Sequence, residues 1–240
     1  MTEANKTIEA SKTIGAFVAE DYRTAEIFEK YGIDFCCGGQ ATLASTCQEK
    51  ALDPDKVLQE IEAARKEPLQ RNENYTAWPL PFLIDYIVNT HHVYLKENDE
   101  QIAAYAHKIA EVHGAHHPEV IKIAEIFEKI AADMAAHLVE EEEVFFPAIK
   151  RAEAAVRSGS NPDTKDSILI KSELAKLHRE HEQIGDAIHR IRHLARDYAI
   201  PADVCNTFVV TYRKLKEFED DLHKHVHLEN NILFSKAEQL

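Results

Sequence analysis

His137-Leu138-Val139-Glu140-Glu141-Glu142-Glu143-Val144-Phe145-Phe146-Pro147 and His225-Val226-His227-Leu228-Glu229-Asn230-Asn231-Ile232-Leu233-Phe234-Ser235 decide the reading of this chain. Both stretches are His-x3-Glu, with an apolar pair eight and nine residues after the His. On a helix that spacing sets the imidazole and the carboxylate on one face, one turn apart. The two stretches lie 88 residues apart, the signature of a duplicated helical hairpin. His92 and His181 fall on the same period: His92, His137, His181 and His225 are separated by 45, 44 and 44 residues. In a bundle of equal hairpins, equal spacing returns each His to a similar height on a new helix. Six side chains then converge on one layer: His92, His137, His181, His225, Glu141 and Glu229.

Four imidazoles and two carboxylates are too many ligands for one tetrahedral zinc. They are too rich in nitrogen for calcium or magnesium. They suit iron or manganese, as two ions bridged by Glu141 and Glu229 with two His each and positions left for water, oxide, O₂ or NO. Among 14 His, a single His-x3-Glu carries little weight, because some His fall at helical spacing by chance. Two copies joined by two further His at one period carry much more. The competing reading, solvated helix faces, leaves His on core-facing stripes without partners, where burial is costly.

The rest of the chain supports an all-α protein. Glycine (7) and proline (8) are scarce in 240 residues, so turns are few. Residues 12–66 read as a small helical domain: a helix from Thr13 to Tyr31, one from about Gln40 to Lys50, and one from Pro54 to about Arg65 with Asp53 as N-cap. Residues 67–81 read as a linker, broken by Glu67-Pro68 and Trp78-Pro79-Leu80-Pro81. Residues 82–240 read as four long helices at roughly 82–112, 118–156, 167–197 and 202–237, and the short connections predict an antiparallel up-down-up-down bundle. A formal charge of −14 argues against nucleic acid as a partner. No apolar run is long enough to span a bilayer, and the polar N-terminus is unlike a signal peptide, so a cytoplasmic location is expected. There the four cysteines, Cys36, Cys37, Cys47 and Cys205, are expected to be thiols.

At this point the chain resembles a known family. Residues 82–240 look like the hemerythrin-like four-helix bundle of the repair-of-iron-centres proteins, the di-iron proteins of iron–sulfur cluster repair. Residues 12–66, with Asp34-Phe35-Cys36-Cys37-Gly38-Gly39, look like that family's N-terminal domain. The resemblance implies a stress-response protein that restores iron–sulfur clusters damaged by nitric oxide or oxidants, by supplying iron. It implies two non-haem iron ions, carboxylate-bridged and oxo-bridged. Carried over by position, the family's His ligands fall on His92, His137, His181 and His225, and its bridging carboxylates on Glu141 and Glu229, in agreement with the spacing argument. One departure is Leu233-Phe234-Ser235, where the family has proline last.

Further candidates follow. His113 aligns with a loop or helix-end His of the family, which implies a role in ligand exchange, although His113-Gly114-Ala115-His116-His117-Pro118 is also an ordinary polar turn. His91 points about 100° from His92 on a regular helix, so only one of the pair is expected to face the layer. His178, His189, His193, His223 and His227 are expected on outer faces or neighbouring turns, and Glu140, Glu142 and Glu143 on a solvated face. Asp133 and Glu180 are candidates for guiding iron or protons. The family signature marks Cys36 and Cys37 as candidates for catalysis, transient iron holding or client contact. A thiol at a helix N-terminus has a lowered pKa. Cys47 and Cys205 are expected to be ordinary buried thiols. Three functions share these ligands: iron donation to damaged iron–sulfur proteins, a di-iron NO-reducing enzyme, and a hemerythrin-like O₂ or NO sensor. A homodimer through the small domain is expected by family analogy only.

Overall fold

The computed structural model describes residues 9–65 and 74–240. They are helical, and no strand is present among them; Thr13 and Thr42 form one isolated antiparallel bridge. Residues 67–73 of the expected linker lie outside the described residues. The chain divides into two compact units, residues 1–83 with 226–239, and residues 84–225 with Leu240. The division therefore falls inside the last long helix as well as near the linker.

The first unit contains α1 (Ile14–Glu20), α2 (Thr24–Lys30), α3 (Leu43–Glu49) and α4 (Pro54–Arg65). The helix expected from Thr13 to Tyr31 is broken at Asp21-Tyr22-Arg23. The cause is Asp21, a buried carboxylate that accepts from the Arg23 backbone N–H at 3.1 Å and from its guanidinium at 2.6 and 2.8 Å. A side chain that satisfies local backbone donors offers the chain an alternative to the next helical turn. Thr42 caps α3 by accepting from Ser45 N–H, and Asp53 accepts from Asp55 N–H at 3.0 Å before α4. Ile14, Phe17, Phe28, Leu43, Val57 and Ile61 fill the core between them.

The second unit is built on long helical segments. Leu80–Ile87 (α5) runs through the π-helical turn Val88–His92 into Val93–His113 (α6). Glu119–Glu140 (α7) runs through the π-turn Glu141–Phe145 into Phe146–Arg157 (α8). Thr164–Leu194 (α9) starts at Asp163, whose carboxylate accepts from Lys165 N–H at 2.8 Å. Asn206–His227 (α10) contributes its residues up to His225; the π-turn Leu228–Leu233 and Phe234–Ala237 (α11) that follow belong to the first unit. Helix α6 packs on α7, and α7 and α8 pack on α9. Helix α10 packs through Phe218 on Phe127 of α7. The buried residues of α9, namely Ile170, Leu174, Leu177, His181, Ile184, Ile188 and Ile191, recur at three and four, so His181 sits in an otherwise apolar core stripe. No helix among the described residues is long and apolar enough to cross a membrane.

Candidate metal centre

Four helical segments each bring one predicted His into the interior of the second unit. His92, His137, His181 and His225 are all buried. They form two pairs: His92 Nε2 lies 3.1 Å from His225 Nε2, and His137 Nε2 lies 3.0 Å from His181 Nε2. Glu141 stands between the pairs, its Oε2 at 3.5 Å from His92 Nε2 and 3.4 Å from His137 Nε2. The Glu141 side chain is 0% exposed, and neither carboxylate oxygen has a hydrogen-bond partner among the described residues. A buried carboxylate without hydrogen bonds takes up a proton or a cation, and the imidazole nitrogens beside Glu141 suit a metal cation. The nitrogen spacing fits one: an ion about 2.1 Å from each of two neighbouring nitrogens holds them about 3.0 Å apart. His92, Glu141 and His225 each offer a ligand atom within 4.8 Å of the others, and so do His137, Glu141 and His181. Glu229 follows His225 by one helical turn and is fully buried.

Carboxylates fix which imidazole nitrogen faces inward. His92 Nδ1 is 2.7 Å from Glu142 Oε1, and His137 Nδ1 is 2.9 Å from Glu180 Oε2. An ionised carboxylate only accepts, so Nδ1 carries the proton and Nε2 presents its lone pair. Burial pushes the Glu142 carboxyl up, but hydrogen bonds from Lys96 and His92 outweigh it and hold the group below the usual carboxylate range. The hydrogen bond with His137 does the same for Glu180 against burial. Glu142 is thus no solvated bystander, contrary to the sequence expectation. Its His lies 50 residues away, so no local pattern marks it. Glu180 and the exposed Asp133 line a groove of about 380 Å³ with Glu140, Lys176 and His137, which opens beside the layer.

His91 is also buried, with Nδ1 2.9 Å from Asp221 Oδ1. Of the two neighbours, His92 and not His91 offers a ligand atom to the layer. His223 and His227 are buried as well, not on outer faces, while His193 is exposed and His178 and His189 are half-buried. His113 is away from the layer; its Nε2 is 3.1 Å from Cys205 Sγ. Cys205 is exposed rather than buried, and the His113 hydrogen bond, with backbone N–H groups of Phe208 and Thr207 at the start of α10, lowers its thiol to about 7.

The second candidate cluster, Asp34, Cys36 and Cys37, lies in the first unit, each residue offering a ligand atom within 4.8 Å of the others. Asp34 Oδ1 accepts from the N–H groups of Cys36 at 2.9 Å and Cys37 at 3.1 Å, and Oδ2 accepts from Gly38 N–H at 3.0 Å. The Cys36 and Cys37 sulfurs are 3.8 Å apart without a disulfide between them, and Cys36 Sγ lies 3.2 Å from Asp34 Oδ1. The contact with Cys37, followed by burial, pushes the Cys36 thiol well up, opposite to the lowered value expected at a helix N-terminus. Asn231 holds this loop: its Nδ2 donates to the Phe35 carbonyl at 3.1 Å, and Asn230 Nδ2 donates to the Cys36 carbonyl at 3.4 Å. Gly15 and Gly39 make room for Asn231, since a Cβ on either would overlap its side chain.

Comparison with known proteins agrees with this geometry. Residues 83–237 match the hemerythrin HHE cation-binding domain, and residues 10–65 match a domain of unknown function, DUF542, named for the N-terminus of ScdA. The iron–sulfur cluster repair protein ScdA of Staphylococcus haemolyticus is 32% identical over 89% of this chain and 91% of its own length. This chain belongs to the iron–sulfur cluster repair protein family. Another relative in the family is the iron–sulfur cluster repair protein YtfE of Escherichia coli, 29% identical over 90% of this chain and 91% of the relative. As a member of the hemerythrin domain family, the chain is a metal-binding helical protein.

Proposed function

We propose that this protein repairs iron–sulfur clusters damaged by nitric oxide or oxidants, acting in the cytoplasm and supplying iron from a centre of two non-haem ions. The observation that carries the reading is the pair of Nε2–Nε2 contacts at 3.1 and 3.0 Å with the orphaned Glu141 carboxylate between them. His92 and His225 hold one ion, and His137 and His181 hold the other. Glu141 bridges them, and Glu229 is the second bridge by register, one turn after His225 as Glu141 is one turn after His137. When bound, the iron pair supplies transferable ions and open positions for small ligands such as NO or O₂. Glu142 and Glu180 keep the imidazoles of His92 and His137 in the ligating tautomer. The groove past Asp133, Glu140 and Glu180 supports donation over a sealed carrier, because acidic side chains line a path from solvent to His137. Residues 12–66 act as a separate module whose Cys36 and Cys37, with Asp34, meet the client or hold iron in transit.

The test begins with metal content and the optical spectrum of protein from iron-replete cells, beside a His137→Ala/His225→Ala variant. About two irons per chain with oxo-bridge absorption, both lost in the variant, are expected. Iron-loaded protein is then added to an NO-damaged iron–sulfur enzyme. Recovery of that enzyme's activity supports the donor reading. Sustained NO consumption with a reductant, without recovery, would assign an enzyme instead.

A further inference from the structure

His189, Glu219 and His223 form a cluster on α9 and α10, with His189 half-buried and the other two buried, each offering one ligand atom within 4.8 Å of the other two. Glu219 is 0% exposed and His223 is 6% exposed. The His189 and His223 rings lie 5.7 Å apart at 62°, and His223 Nε2 is 3.8 Å from Glu219 Oε1. Glu219-x3-His223 puts carboxylate and imidazole on one face of α10, the mirror order of the two His-x3-Glu stretches. His189 lies eight residues after His181 on α9, and Glu219 lies six before His225 on α10. At 1.5 Å per residue these are shifts of about 12 and 9 Å. Along two adjacent antiparallel helices they run the same way, so the cluster is a separate layer.

We propose that His189, Glu219 and His223 bind a third, mononuclear divalent transition-metal ion. Two imidazoles and one carboxylate with open positions are a donor set for zinc, iron(II) or manganese(II), and too rich in nitrogen for calcium or magnesium. Arg192 Nε stands 3.0 Å from the Glu219 carboxylate. That contact uses part of a group with about four acceptor positions, and ligating carboxylates are ordinarily hydrogen-bonded on their outer side. Tyr198 lies near the Glu219 carboxylate. Burial, then the Glu219 carboxylate, pushes its hydroxyl pKa up, and it ends a run of three left-handed residues, Arg196, Asp197 and Tyr198, at φ 50, 54 and 58.

The test is equilibrium dialysis of the metal-free full chain against zinc, with metal counted per chain. Wild type is expected to retain three ions. His189→Ala and, independently, Glu219→Gln are expected to retain two. His137→Ala/His225→Ala is expected to keep the one ion that His189→Ala loses. Cobalt(II) in place of zinc adds a second readout, in which the visible spectrum of wild type minus that of His189→Ala shows a single imidazole-ligated ion. The proposal is overturned if folded His189→Ala and Glu219→Gln, checked by circular dichroism, retain as much metal as wild type. It is equally overturned if wild type holds two ions and His137→Ala/His225→Ala holds none, in which case Arg192 and Glu219 are a structural ion pair and the di-metal reading stands alone.

Discussion

His92 and His137 each give the Nδ1 edge to a carboxylate, and that edge determines which nitrogen is left for a metal. Replacing Glu142 or Glu180 with Gln removes the acceptor that fixes the tautomer. Metal retention by competition with a chelator is expected to fall roughly 10–100-fold for either variant, with the helical signal intact. No change in retention would mean that the ring orientation is set by packing alone. At Cys205 the group to follow is the thiol. Its pKa of about 7 lies below the ordinary thiol value, so thiolate accumulates as pH rises through about 7. Alkylation of Cys205 by iodoacetamide should therefore rise through that pH in wild type. In His113→Ala the midpoint moves up toward the usual range of about 8.5. An unchanged midpoint would place the effect on the helix start alone. The six candidate ligands were legible because each combined a ligating side chain with a helical period. Glu142 and Asp221 were not, and Glu180 stood out only as a candidate for guiding iron or protons, since their imidazole partners lie on other helices.

The π-turns are the elements that regular periodicity misses. Val88–His92 ends on His92, Glu141–Phe145 begins on Glu141, and Leu228–Leu233 contains Glu229, so each lies on a candidate ligand. Sequence ranges for the long helices were accurate to a few residues, because a π-turn leaves the helix continuous while rotating the face beyond it. In the first unit, the break at Asp21 escaped because Ile14, Phe17, Val18, Ile27 and Phe28 keep a helical pattern across it. Another element-level contact is open to test. The Asn231 side chain fills the space that a Cβ on Gly15 would need. Gly15→Ala is expected to destabilise the protein by about 1–3 kcal/mol in urea unfolding. In a double-mutant cycle, Asn231→Ala should recover part of that loss. Purely additive losses would show that the two residues do not compete for the same space.

For the whole molecule, the buried ligand layer couples metal to stability. Four imidazoles and the Glu141 carboxylate occupy positions that an apolar core would otherwise fill, and ions binding only the folded chain stabilise it by mass action. At a hundredfold excess over Kd one ion contributes about 2.7 kcal/mol, which in a chain of this size raises Tm by roughly 5–10 °C. Stripping metal with a chelator should lower Tm by at least that amount in wild type, and by less in His137→Ala/His225→Ala, which lacks the di-metal ligands. An equal drop in both would mean that the chelator acts elsewhere. The fold class was readable because glycine and proline are scarce and the His period spans the bundle. The division of the chain was harder, since residues 226–239 group with the N-terminal unit through contacts such as Lys236 with the Trp78 carbonyl, 158 positions away.

The amides of Asn230 and Asn231 grip the carbonyls of Cys36 and Phe35, and Asp34 collects the N–H groups of Cys36, Cys37 and Gly38. Every one of these bonds is made to main chain, which all amino acids share. Position 36 is more tightly bound, since Cys36 is buried and its Sγ donates to Asp34 Oδ1 at 3.2 Å, whereas the Cys37 side chain is half-buried. Serine or selenocysteine, close to cysteine in size, could stand at either place on the same backbone, so descendants of this gene are free to retune the loop's reactivity without renegotiating its fold.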